Sequence, residues 1–345
     1  MSSDEAMAVK ARAMFGKRLT ESDYQNLLQK KTVPEIASAL KGYPLFAETL
    51  EGINEKSIHR GQLEALLRMD AYYRLQRLTV YGGPNDGKFF YIVVMNTETR
   101  LILSCIRAFM RKDDEIRNAI IGRIPVYAEQ YFSFDVKKLI DVNNYDELEE
   151  LLKGTRFYSI VKKYRAEKLE DIDFIGMEHA FRISNFKNTQ ELIDEYSDGD
   201  ARDQMRKITR AKAELDNIAV IYRLKRYFNA SSGKIQSLIM PEYCLFTAKE
   251  MRDMICDCTA DEVVECLQKK YHRYAKGVEF IDIEHYTGTI RYNLNHHFIE
   301  YYTEASLVLL SYMVLAEIEI QNVINIIEGV RYGVSPDRIK TLLVY

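Results

Sequence analysis

Residues that interrupt regular structure are scarce: 6 prolines and 16 glycines in 345 residues, well under the roughly 12% that average usage would give. Few breakers over such a length mean long, uninterrupted elements, and helix formers dominate the remainder, so the chain reads as all-α. Cysteine is also sparse. Cys105, Cys244, Cys256, Cys258 and Cys266 are an odd number in a large chain, which argues against a disulfide framework and for a reducing compartment, the cytoplasm. Charge of one sign is lacking too. A net charge of −3 and a pI near 6.2 give no general pull toward nucleic acid or an anionic membrane surface. The N-terminal stretch MSSDEAMAVKARAMFGKRL has acids before its bases and no apolar core segment, so it reads as neither signal peptide nor anchor. The longest apolar run, Ala305 to Ala316, stops before Glu317. That is short of the roughly 20 residues needed to cross a bilayer and predicts a buried core helix.

What the chain has in abundance is repetition. The stretch TVPEIASAL at Thr32–Leu40 is matched by NYDELEELL at Asn144–Leu152 and TADEVVECL at Thr259–Leu267. Each copy opens with a helix-capping side chain. Three residues on stands Glu35, Glu147 or Glu262, from where a carboxylate reaches back to the cap residue's own N–H in a capping box. A short apolar pattern at helical spacing precedes each box: Tyr24, Leu27 and Leu28, then Val136, Leu139 and Ile140, then Met251, Met254 and Ile255. The boxes lie 112 and 115 positions apart (147 − 35 and 262 − 147). Three modules follow: residues 1–118 with an additional N-terminal helix, 119–235 and 236–345, each near the common size of a domain.

The first helix is expected from a Ser2 or Ser3 cap to about Arg18, with Met7, Ala11 and Met14 on one face. Two short helices then open every module, capped by Thr20 with Asp23 and by Thr247 with Glu250, Ser133 and Asp135 standing in for them in the second copy. A long helix over Ile58–Val80 follows. Beyond the loop GGPNDG the segment FFYIVVM resembles a strand by composition, but it runs without a breaker into TETRLILSCIRAFM and is assigned to a helix. The second module has helices around Met177–Glu195 and Asp200–Tyr227, and the third ends in one over Phe298–Tyr332. The last helices finish on Arg107, Arg223 and Arg331, with Asn217 and Asn325 six residues before the latter two and Leu101 before the first. Pro125 and Pro241 in the linkers are 116 apart (241 − 125), the same offset as Arg107 to Arg223.

No catalytic constellation emerges. Gly82–Lys88, GGPNDGK, fits the first part of a phosphate loop, but Phe89 stands where Ser or Thr must hold magnesium, and the string follows an amphipathic helix instead of a buried strand. It reads as a helix-to-helix loop. Cys256, Cys258, Cys266 and His272 lack the spacing of a tetrahedral zinc site, and adjacent His296 and His297 point apart, so no metal or cofactor is expected. The acid clusters Glu149/Glu150 and Glu167/Glu170/Asp171 read as solvated helix faces. Arg107, Arg223 and Arg331 admit two readings. A cation in the last helical turn offsets the helix dipole by about 0.3 to 1 kcal/mol and needs no partner. Alternatively, in a pseudo-threefold arrangement the three would ring a socket for an acidic partner.

In AVKARAMFGKRLTESDY, in the three capping-box modules, in the helix around Asn217 and above all in EIEIQNVINIIEGVRYGVSPDRIKTLL with Glu319, Asn322, Asn325, Arg331, Gly333 and Ile339, the chain resembles one family. This is the C-type subunit of the V/A-type rotary ATPases, equivalent to the d-type subunit of the eukaryotic vacuolar enzyme. Lys10, where many members would carry Arg, and Leu101, opposite Asn217 and Asn325, depart from the pattern. The resemblance implies a non-catalytic, all-helical funnel of three related domains, peripheral to the cytoplasmic side of the membrane and present once per complex. It would receive the central-shaft subunits of D/F type and cap the rotor ring of proteolipid subunits, with Arg107, Arg223 and Arg331 as candidate shaft-facing residues. A helical-repeat scaffold unrelated to a rotary ATPase is the alternative, although solenoid units usually span about 20 to 50 residues.

Overall fold

The computed structural model describes residues 3–79, 86–111, 124, 129 and 131–345, and every regular element among them is a helix. Two compact units form. One contains Met1–Gln29 with Ile193–Tyr345, the other Lys30–Leu192. The expected phosphate-loop-like string Gly82–Lys88 lies largely outside the described residues.

The first unit is built on its most apolar helix. Helices α1 (Ser3–Phe15) and α2 (Glu21–Leu28) belong to it. Met7, Ala11 and Met14 are buried, as their spacing predicts. The remaining helices of this unit come after the second: α9 (Gly199–Phe228), α10 (Ser232–Gln236), α11 (Ala248–Cys256), α12 (Ala260–Lys270), α13 (Ile283–Tyr301), α14 (Ala305–Arg331) and α15 (Pro336–Lys340). α14 packs against α1, α2, α9, α13 and α15. Among the described residues it is the one helix long and apolar enough to cross a membrane, yet 83% of its most apolar stretch is buried inside the protein, as a core helix requires. α15 approaches it closely. A Cβ at Gly329 would stand 2.4 Å from Cδ1 of Ile339, so only glycine fits there.

The second unit holds α3 (Val33–Lys41), α4 (Arg60–Thr79), α5 (Asp86–Arg111), α6 (Tyr145–Leu151), α7 (Tyr158–Lys163) and α8 (Phe174–Tyr196) up to Leu192. The ambiguous apolar segment after Phe89 lies in a helix. Leu101, Ile102, Cys105 and Ile106 of α5 enter one core with Leu139, Leu148, Phe157 and Phe181. Asp70 and Arg74 of α4 form a buried ion pair, and Thr49 donates to Asp70 at 2.6 Å. Burying this pair is tolerable because the carboxylate's second oxygen is satisfied by a hydroxyl.

Three expectations change. The second module opens on a 3-10 turn, Val136–Ile140, capped by Asp135, instead of an α-helix. The helix expected over Phe298–Tyr332 is interrupted at residues 302–304. Tyr302 is extended (φ −105°, ψ 148°), and Arg12 of α1 donates to the terminal carbonyls of Ile299, at 2.7 Å, and of Tyr302, satisfying acceptors that a continuous helix would have used itself. The capping boxes also divide. Thr259 makes the full box with Glu262, but Glu35 reaches the N–H of Lys31 and Glu147 that of Asn143, one residue before the cap. Cap geometry accounts for this. Thr259 has φ −71°, whereas Thr32 and Asn144 are extended at −137° and −148°, which turns the preceding N–H toward the carboxylate.

Candidate functional site

The long helices carry buried glutamates, of which only Glu319 stood out in the sequence, within the string EIEIQNVINIIEGVRYGVSPDRIKTLL. Glu98 of α5 and Glu214 of α9 are fully buried, and Glu319 of α14 nearly so. Each accepts a backbone N–H just before a pair of short helices: Glu98 from Ser133 at 2.5 Å, Glu214 from Phe246 at 2.5 Å and Glu319 from Leu19 at 2.7 Å. Leu19 and Phe246 directly precede the caps Thr20 and Thr247, and Ser133 precedes Asp135 by two. A carboxylate bonded to backbone N–H is among the stronger hydrogen bonds available in a protein, and it fixes where the short helices start.

The charge is compensated in different ways. Arg156 Nη2 lies 3.2 Å from Glu98, and Arg156 also donates to Tyr91 at 3.0 Å and Asn185 at 3.2 Å. Burial pushes the Glu98 carboxyl above its usual range despite Ser133 and Arg156, and the same burial lowers the Arg156 guanidinium. Around Glu214, Tyr271 donates at 2.8 Å and Lys270 at 3.2 Å, with the Lys270 ammonium 3.5 Å from the Phe246 ring centre. Burial foremost, then the Glu214 charge, pushes the Tyr271 hydroxyl far up, so it stays a donor.

A second contact recurs in the first unit. Asn217 donates to the carbonyl of Met240 at 3.0 Å and accepts from its N–H at 2.9 Å, and Asn322 does the same with Val344 at 2.7 and 3.0 Å. Both asparagines lie three residues beyond a clamping glutamate. The Glu-x-x-Asn string at 214–217 and 319–322 was the available signal. It was hidden because Asn325 stands six residues before Arg331, as Asn217 does before Arg223. The structure gives the role to Asn322, and Asn325 instead accepts from Gln321 at 2.9 Å.

This register repositions the arginines. Clamps in α9 and α14 are 105 residues apart (319 − 214 and 322 − 217), so Arg331 stands where Arg226 does and Glu328 where Arg223 does. Arg107 and Arg223 do correspond, both lying nine residues beyond the clamping glutamates Glu98 and Glu214. All three arginines are exposed. Arg107 lies 4.3 Å over the ring of Phe174, and Arg223 Nε is 3.3 Å from Glu284. Arg107 and Arg223 thus lie in different surroundings, and Arg331 is out of their register. The five cysteines are free thiols, and Lys225 donates to the carbonyls of Ile255 and Cys258, both at 2.7 Å, at the end of α11.

Helices repeated in register, each pinned through a buried carboxylate to short capped helices, define an all-α protein. A family model described as ATP synthase (C/AC39) subunit matches residues 7–342, and the chain belongs to that family. Its members are non-catalytic subunits of V/A-type ATPases, so this chain has its partners within such a complex. Comparison with curated protein sequences gave no match.

Proposed function

We propose that the chain is a non-catalytic rotor subunit of a V/A-type ATPase, a socket that joins the central shaft to the membrane rotor ring and carries torque between them. The observation that carries this reading is membership of the C/AC39 family over nearly the whole chain. Moving one charge through 100 mV is worth about 2.3 kcal/mol, and an adaptor in the drive train must hold through several such steps. The Glu98, Glu214 and Glu319 clamps suit that load, because each ties short helices rigidly to a long one. Their recurrence supports the reading of three modules, at residues 1–118, 119–235 and 236–345. The protein is peripheral to the membrane through the ring, on its cytoplasmic side, in one copy per complex. Its summed interfaces with the D/F-type shaft subunits and the proteolipid ring reach about 2,000 Å² or more, the size of a lasting assembly. The exposed arginines Arg107, Arg223 and Arg331 are the candidates for shaft contact.

The test compares membranes with and without this chain. Its removal is expected to abolish ATP-driven ion transport while the catalytic head retains ATP hydrolysis, and adding it back restores transport. Full transport in its absence would refute the reading.

A further inference from the structure

The three candidate arginines differ in one respect that a comparison between the units exposes. Helices α8 and α13 begin on related strings, Glu170–Ile175 (EDIDFI) and Glu279–Glu284 (EFIDIE). Asp173 accepts from the N–H of Gly176 at 2.9 Å and Asp282 from that of His285 at 2.8 Å, each three residues on, so the two aspartates are equivalent caps. In that register Ile175 takes the place of Glu284. Glu284 is the carboxylate that pairs with Arg223, whereas the corresponding Arg107 has no carboxylate at ion-pair distance among the described residues. Its guanidinium rests on Phe174, and the next residue, Ile175, is 64% exposed.

Among the described residues, the first unit thus pairs its arginine with a carboxylate, and the second holds a stacked cation beside an exposed isoleucine. An arginine held over an aromatic ring loses little freedom on binding, and Arg with adjoining apolar surface is a common composition for an interface anchor. We propose that Arg107 and Ile175 form a docking contact for a partner segment that supplies the missing carboxylate beside an apolar side chain, and that the segment belongs to the central shaft. This inference rests on the rotor-subunit reading above. A helical rod in water offers that pair readily, as an acid and an apolar residue three or four apart on one face. The other two arginines are secondary: Arg223 is occupied by Glu284, and Arg331 lies out of register.

The test uses full-length variants returned to cells lacking the native chain. Complexes are released in mild detergent, and co-recovered shaft and ring subunits are quantified by mass spectrometry. Ile175→Glu builds into the second unit the carboxylate that the first unit has. It and Arg107→Glu should each lower shaft recovery about tenfold or more, the effect of one anchor contact, with ring recovery kept. Ile175→Leu should stay within about twofold of wild type, as a change that spares the anchor. Both positions are exposed, and an unchanged urea midpoint verifies folding. Shaft recovery near the wild-type level in both Ile175→Glu and Arg107→Glu, or selective loss of the ring, would overturn the inference while leaving the rotor reading intact. A wild-type chain that recovers neither shaft nor ring would overturn both.

Discussion

Replacing Asn322 by leucine removes the hydrogen bonds that its amide makes with the N–H and C=O of Val344, and the one it donates to Tyr24 at 3.2 Å. Asn322 is 2% exposed and Val344 8%, so water reaches the orphaned groups poorly. Each buried polar group left unpaired costs about 1 to 3 kcal/mol, which puts two backbone groups at about 2 to 6 kcal/mol. The added apolar burial of leucine offsets about 1 to 2 kcal/mol of that. A net loss of about 1 to 4 kcal/mol is therefore expected. Amide hydrogen exchange reads it most directly, because the Val344 N–H donates to Asn322 itself. Its exchange should accelerate by about tenfold or more, in step with the local loss of stability. Asn325→Leu is the control: Asn325 is half-buried, its contact with Leu342 is long at 3.5 Å, and its effect should stay within about 0.5 kcal/mol. Equal effects of the two substitutions would refute the register drawn through Glu319 and Asn322.

Three further outcomes are expected. Gly329→Ala forces a methyl against Ile339, 2.4 to 2.5 Å away, and should destabilise the fold by about 1 to 3 kcal/mol in urea unfolding, partly recovered by adding Ile339→Val. Lys225→Met strips two carbonyls at the end of α11 of a charged donor and should cost about 1 to 3 kcal/mol, seen as a lower melting temperature. Burial lowers the His296 and His297 imidazoles below their ordinary range, so the folded state favours their neutral forms. Their contribution is present above the unfolded value of about 6.5 and is lost as the pH falls from there through the folded value. The melting temperature should decline over that window, and less so in His296→Phe, which keeps a ring against Phe15 and Tyr292.

Much of the fold was legible because the chain states it redundantly. Thr20, Asn144, Thr247 and Thr259 cap helices where their side chains predicted, and the scarcity of proline and glycine foretold helices as long as Gly199–Phe228. The aromatic and β-branched run FFYIVVM falls within a helix because tertiary packing outweighs local strand preference. The break after Tyr301 was less visible. Thr303 and Glu304 are ordinary helix residues, and the carbonyls there are satisfied by Arg12, some 290 positions away in sequence. Surface chemistry was less visible again. Glu214 looks like any helix carboxylate until its burial and its bond to Phe246 are seen. Arg331 ends α14, but Arg223 stands five residues before the end of α9, in a register that differs by three, and no one-dimensional pattern reveals that among the described residues Arg107 has no counterpart of the carboxylate beside Arg223.

The central claim is tested most directly by native mass spectrometry of the assembly that this chain forms in membranes gently solubilised from its own cells. The rotor reading predicts one copy of the chain bound simultaneously to the D/F-type shaft subunits and to the ring of proteolipid subunits. Recovery of the chain by itself, while intact shaft and ring assemblies appear in the same sample without it, would contradict the account.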